Sequence, residues 1–306
     1  MTRQARLDAP GALHHVMIRG IERRTIFKDN KDCENFIDRL ATVLPETHTA
    51  CYAWVFMPNH AHFLLRSGTA GISTVMRRLL TGYAVTFNHR HKRHGQLFQN
   101  RYKSIICQED VYLKELVRYI HLNPLRGKLV ADLAELNQYF YCGHSALIGL
   151  EEWPWQATEY VLRTFGKTLR EGRRRYCSYV EAGVDQGHCE HLVGGGLIRS
   201  LGGWAELKGM RLKGRNRVKG DERILGNTDF VMEVLAEANE TIDRRYELKS
   251  LGYDLEKVAE RVSEIYGTDP KDLFPRGRQK IRVEARSPLS VAFHNTLIYI
   301  QLEACT

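Results

Sequence analysis

Met57-Pro58-Asn59-His60-Ala61-His62-Phe63-Leu64-Leu65 is the stretch from which the fold is read. Pro58-Asn59 is a turn signal that ends a run of strand formers over residues 49–57, and strand-like character resumes over 60–65. The two runs predict an antiparallel hairpin. Successive side chains of a strand point to opposite faces. His60 and His62 therefore project together, roughly 7 Å apart along the chain, while Ala61, Phe63 and Leu65 turn to the other side. Paired imidazoles on a rigid, half-buried strand suit one divalent cation. A turn with two histidines facing water fits the same residues, since two ligands do not make a site.

The surrounding segments place this hairpin in a larger pattern. Residues 13–19 read as a strand, followed by a turn at Arg19-Gly20. Asp29-Asn30 precedes a helical stripe of Cys33, Phe36, Ile37, Leu40 and Val43. After the hairpin, residues 71 to about 90 are helical, with Ile72, Val75, Met76, Leu79, Leu80, Tyr83 and Phe87 inward. A short strand over 104–107 and a helix over 110–123 follow. The order β-α-β-β-α-β, then α, is that of a ferredoxin-like split βαβ domain: an α+β fold with an antiparallel sheet and helices on one face. A loop near 143–155, with Trp153-Pro154-Trp155, is expected to close the domain.

At 306 residues the chain has room for two ordinary domains. Residues 8–150 form the first. Residues 151–225 read as a basic, glycine-containing helical or linker region, and 226–306 as a mainly helical domain with amphipathic helices over 229–239 and 255–266. Gly194-Gly195-Gly196 and Gly202-Gly203 read as turns between helices, because no Gly-Lys-Ser/Thr follows them. His188-Cys189-Glu190-His191 has metal-like composition in a glycine-rich loop, and loop is the preferred reading.

The charge of +9 points to an anionic partner. Arg90, Lys92, Arg93, Arg101 and Lys103 lie in one acid-free run, and residues 208–219 in another; residues 167–175 form a third basic cluster. Together they favour a polyphosphate. No window approaches the ~18 uninterrupted apolar residues of a membrane span, so no membrane partner is expected. The N-terminus lacks the apolar segment of a secretory signal. Seven scattered cysteines without a Cys-x-x-Cys pair fit a reducing cytosol, and the expected location is cytoplasmic.

The helix over 110–123 holds a second constellation. Leu113, Leu116, Val117 and Ile120 form its apolar stripe. Tyr112, Tyr119 and Asn123 share the neighbouring stripe, and the four-residue spacing puts the Cβ atoms of Tyr119 and Asn123 about 6 Å apart. Pro124 disfavours helical geometry at Asn123 and is expected to end the helix there. Taken alone, Tyr119 fits a helix–sheet boundary and Asn123 a helix terminus. With the histidines they suit phosphodiester chemistry. A cation on two imidazoles and an amide oxygen withdraws charge from a phosphate oxygen, and a phenol, activated from an ordinary pKa near 10, attacks phosphorus. Arg90, Lys92, Arg93, Arg101 and Lys103, with Phe98 and Tyr102 interleaved, offer phosphate neutralisation and base stacking for a single strand.

His60-Ala61-His62 after Met57-Pro58-Asn59, then Gly95-Gln96-Leu97-Phe98-Gln99-Asn100-Arg101-Tyr102-Lys103-Ser104, then Arg118-Tyr119-Ile120-His121-Leu122-Asn123-Pro124, resembles the single-tyrosine HUH transposases, in the branch of the REP-associated tyrosine transposases, relatives of the insertion-sequence-200-like enzymes. The resemblance covers roughly residues 8–150. It implies cleavage and joining of single-stranded or hairpin DNA through a 5′-phosphotyrosine, with Mg2+ or Mn2+ and no nucleotide cofactor. It further implies metal ligation by His60, His62 and Asn123 and a nucleophile at Tyr119; a homodimer is a compatible assembly. Ala61 stands where the motif usually carries a bulky apolar residue.

The second half is similar to helical extensions of the replication-initiator type, on Leu255-Glu256-Lys257-Val258-Ala259-Glu260, Ile265-Tyr266-Gly267 and Gly277-Arg278-Gln279-Lys280. It departs where Ser287-Pro288 breaks the next helix, so no sequence-specific duplex binding is assigned to it. Two alternatives stand beside the transposase reading. A catalytically silent DNA-binding regulator fits the same scaffold. A zinc hydrolase would need a third ligand, and His89-Arg90-His91, at a helix end, points its imidazoles about 200° apart.

Overall fold

The computed structural model describes residues 7–186, 192, 221–238, 255–267 and 269. The leading elements are β1 (Leu13–Arg19), α1 (Asn30–Glu46), β2 (Ala50–Met57), β3 (His60–Arg66), α2 (Gly71–Arg90), β4 (Lys103–Cys107) and α3 (Glu109–His121), the order read from the sequence. Asp29 starts α1, its carboxylate accepting the Asp32 N–H at 3.1 Å. The Pro58-Asn59 turn sets Met57 opposite His60 and closes the β2–β3 hairpin.

The strands lie in the order β2-β3-β1-β4-β5. Each of the first four is antiparallel to its neighbour. β5 (Ile224–Leu225) lies parallel beside β4. The sheet is therefore mixed, a correction to the wholly antiparallel sheet expected. The reason is the unsatisfied edge of β4: the N–H groups of Ile106 and Gln108 find the carbonyls of Arg223 and Leu225, both at 2.8 Å.

Helices on one face also needs correction, since both faces are covered. Val16, Ile18, Ala61, Phe63 and Leu65 pack with Phe36, Leu40, Tyr83 and Phe87 of α1 and α2. On the other face Leu13, Val55, Leu64 and Ile105 pack with Leu113, Leu116, Val117 and Ile120 of α3. The strands carry apolar residues at both parities, and the stripe on α3 supplies the second cover. The histidine face of β3 thus ends inside a core rather than on a wetted surface.

Short helices α4 (Asn123–Arg126), α5 (Leu133–Gln138) and α6 (His144–Ile148) lead into α7 (Thr158–Phe165) and α8 (Leu169–Glu181). Val161, Leu162, Phe165, Tyr176 and Val180 join α3 in the second core. One compact unit runs from Met1 to Val234. Residues 228–238 are helical, and the second unit, Leu235–Thr306, contains the helix Leu255–Tyr266. The glycine turns at 194–196 and 202–203, the His188-Cys189-Glu190-His191 stretch, the basic run 208–219 and the segment 277–288 lie outside the described residues. Among the described residues no helix is long and apolar enough to cross a membrane.

A buried hydrogen-bond chain ties α8 to the end of α3. The Asn137 amide oxygen accepts from His144 Nε2 at 2.9 Å. His144 Nδ1 must then accept the Tyr176 hydroxyl proton at 2.7 Å, and the hydroxyl accepts from His121 Nδ1 at 2.7 Å. Tyr176→Phe leaves both imidazoles short of a partner. It should lower unfolding stability by about 2 kcal/mol in urea titration; a loss within about 0.5 kcal/mol, typical of a surface change, would contradict the chain.

Candidate active site

His60 and His62 sit on the α3 side of β3, with Arg19 opposite His60 and Met17 opposite His62 across β1. Their ring centroids are 5.3 Å apart. Each ring has its Nδ1 engaged. His60 Nδ1 donates to the Asn59 amide oxygen at 2.6 Å, and His62 Nδ1 lies 3.0 Å from His15 Nε2. Neither Nε2 makes a hydrogen bond among the described residues. Burial pushes His60 down to about 4, and the Arg19 cation adds to this. Burial takes His62 well below the ordinary imidazole value, with further lowering from His15, His60 and Arg19. Both imidazoles are neutral at pH 7, the form that ligates a metal.

The last turn of α3 brings Tyr119 to this face. Its ring lies edge-on to His62 at 6.1 Å and to His15 at 5.9 Å. Tyr119 is 3% exposed, and the Arg126 guanidinium lies over its ring, 5.5 Å from the centroid. Arg126 Nη2 donates to Gly183 O at 3.4 Å, while its Nε and Nη1 are buried without a hydrogen-bond partner among the described residues.

Asn123 is the first residue of α4 rather than the last of α3. Proline is tolerated in a first helical turn, so Pro124 opens a new helix instead of only ending the old one. Its missing N–H deprives the Ile120 carbonyl of the usual donor. The Asn123 side chain replaces it: Nδ2 donates to Tyr119 O at 3.0 Å and to Ile120 O at 3.3 Å. Because carbonyls only accept, this fixes the amide's orientation, and Oδ1 accepts no hydrogen bond among the described residues. Gly127 closes α4 against the hairpin, where a Cβ would stand 2.5 Å from Met57 Cε. Met57 is the ladder partner of His60, so the Asn123 turn is held at the histidine end of the sheet.

The basic residues divide. Lys92 and Arg101 are exposed. Lys103 pairs with Met17, in one cross-strand row with His62. Arg93 is held by Asn88 at 3.0 Å and the Gln96 carbonyl at 2.8 Å. Arg90 bridges Asp29 at 2.6 Å and Asp32 at 2.5 Å. Tyr102 is 7% exposed within the α1/α2-side core.

Asp29, Asp32 and His91 form a second cluster with metal-ligand chemistry, one not foreseen from the sequence. Its charges already have partners. Arg90 holds the Asp29 carboxyl down to about 2, Asp32 accepts from the Lys28 N–H at 2.9 Å, and His91 Nε2 lies 2.9 Å from Asp32. His15, Arg19 and Arg126 were also missed. His14-His15 within a predicted strand was the available signal, because one of two adjacent histidines must share the parity of the site.

Residues 10–123 match the family model described as IS200-like transposase. A solved structure described as a REP-associated tyrosine transposase bound to a REP hairpin is similar at a TM-score of 0.41 and 15% identity, covering 51% of this chain and 97% of that one. No curated protein matches.

The buried imidazoles have a consequence for stability. Burial holds His14, its shift partly offset by Asp8, and His144 at about 4, against 6.5 for an ordinary imidazole, and takes His121 well below 6.5 with help from His144. Between about pH 4 and 6.5 the unfolded chain binds more protons than the folded one, so stability rises with pH across this window and levels off above it. Urea unfolding at pH 5 should show lower stability than at pH 7.5, with a slope up to about 1.4 kcal/mol per pH unit for each such group. Equal stability at the two pH values would contradict the burial assigned to them.

Proposed function

We propose that the IS200-like transposase domain at residues 10–123 cleaves and rejoins single-stranded DNA through a phosphotyrosine at Tyr119, with a divalent cation held by His60, His62 and Asn123. The observation that carries this reading is the disposition of donor atoms. Both imidazoles have Nδ1 engaged and Nε2 without a hydrogen-bond partner among the described residues, the Asn123 amide turns its oxygen away from the helix carbonyls it serves, and Tyr119 lies against His62. Two neutral imidazole nitrogens and an amide oxygen suit a divalent transition ion such as Mn2+ better than Mg2+, which prefers oxygen ligands. When bound, the cation supplies Lewis-acid polarisation of a phosphate oxygen.

The chain's own residues do the rest. The Tyr119 phenol oxygen forms a bond to phosphorus as the bond from phosphorus to the 3′ oxygen breaks, and the phenol proton ends on the released 3′ hydroxyl. The phosphoester count is unchanged, so a 3′ hydroxyl can later attack the phosphotyrosine and restore the phenol without a nucleotide cofactor. Arg126, over the Tyr119 ring, and Arg19, opposite His60, supply positive charge where the phosphate must sit. Exposed Lys92 and Arg101 are placed to track the strand's backbone. The hairpin in the similar solved structure's description makes a hairpin-bearing single strand the substrate to try first.

Incubation of the full chain with such an oligonucleotide and Mn2+ should yield a covalent adduct that survives denaturing electrophoresis. Tyr119→Phe should reduce it to background with folding intact, and chelation or His60→Ala should do the same. An adduct formed by Tyr119→Phe would overturn the nucleophile. Tight hairpin binding that is indifferent to metal, with no cleavage, would favour a silent DNA-binding regulator instead.

A further inference from the structure

His15 makes the one hydrogen bond that decides which nitrogen of His62 is bare. It is fully buried in β1 and pairs with Leu64 in the ladder, a diagonal neighbour of His62 on the same face. The two rings are stacked, with centroids 5.3 Å apart and planes at 29°. His15 Nε2 lies 3.0 Å from His62 Nδ1. The same ring meets Tyr119 edge-on at 5.9 Å. One fully buried side chain therefore meets both a candidate metal ligand and the candidate nucleophile.

A hydrogen bond between two imidazole nitrogens has two possible polarities, and only one suits ligation. If His15 Nε2 carried the proton, His62 Nδ1 would accept it and His62 Nε2 would be protonated. If His62 Nδ1 donates, His62 Nε2 keeps its lone pair. His60 reaches that second state by a different device, because the Asn59 amide oxygen can only accept and so compels Nδ1–H. We propose that His15 is the positioning residue of the site: its Nε2 accepts from His62 Nδ1–H, which holds His62 in the tautomer with Nε2 bare and keeps its ring facing Tyr119. This rests on the metal-dependent reading above. Metal-bound histidines elsewhere use a carboxylate, a carbonyl or water for this purpose; here an imidazole does it, adding no negative charge beside an incoming phosphate.

Mn2+ binding to the full chain, followed by titration calorimetry or by loss of the free-ion electron paramagnetic resonance signal, tests the inference without reference to cleavage. His15→Phe keeps a flat apolar ring and removes the acceptor, and should weaken Mn2+ binding about 10–100-fold. His15→Gln restores an acceptor oxygen and should recover most of the loss. Nitrogen-15 imidazole spectra of the metal-free wild type should show His62 as the Nδ1–H tautomer, a readout that a purely structural role would not require and that needs no variant to fold. Wild-type binding unchanged in His15→Phe, or an Nε2–H tautomer of His62, would overturn the role of His15 and leave the metal reading standing. Absence of Mn2+ binding by the wild type would overturn the metal reading itself, and this inference with it.

Discussion

Alternation along β3 buries Ala61, Phe63 and Leu65 against α1 and α2 and turns His60, His62 and Leu64 toward α3. The ladders with β1 and β2 hold that assignment on both flanks. A slip by one residue would exchange the two sets, placing imidazoles in the Phe36–Phe63 core and phenylalanine beside Tyr119. Aromatic packing makes the slip costly: Phe63 stacks on Phe36 at 5.8 Å, and Phe36 meets Phe56 at 5.3 Å. The apolar half of the strand thereby positions the polar half, and the geometry of the candidate site is inherited from a hydrophobic core.

Burial also sets the chemistry. Imidazoles enclosed by sheet and helix stay neutral, because desolvation penalises their charged forms. Neutral rings with one nitrogen tied down keep the other for ligation, which is the role proposed for His60 and His62. The Asp29–Asp32–His91 cluster shows the contrasting case. It has more formal charge, yet Arg90 already bridges both carboxylates, and Asp29 caps α1. A cation there would have to compete with a guanidinium and a helix start. At the proposed β3 site the two Nε2 atoms and the Asn123 Oδ1 make no such contacts among the described residues.

Period and turn chemistry made much of this legible in sequence. The Pro58-Asn59 turn, the period-two run after it and the stripe on α3 predicted the hairpin, the parity of the histidines and the helix bearing Tyr119. What escaped was set by tertiary contacts that leave no periodic trace. Tyr102 read as a stacking platform, but its neighbours drew it into the core. Arg90 read as a phosphate contact, and its acidic partners lie about sixty residues earlier in the chain. Pro124 read as a stop, because the rule for the residue before proline does not reveal that a new helix can open at Asn123 with the side-chain amide supplying the missing donor. β5 was invisible: two residues that return from far along the chain to pair with β4 carry no strand signature of their own.

The central claim is that the face of β3 and the end of α3 together hold one divalent cation beside Tyr119. Pulsed electron paramagnetic resonance of Mn2+ bound to the full chain reads the ligand nitrogens directly. The account predicts couplings to two imidazoles, reduced to one in His60→Ala and unchanged in His91→Ala. Bound Mn2+ without imidazole coupling, or coupling abolished by His91→Ala alone, would move the metal to the Asp29–Asp32–His91 cluster and contradict the account.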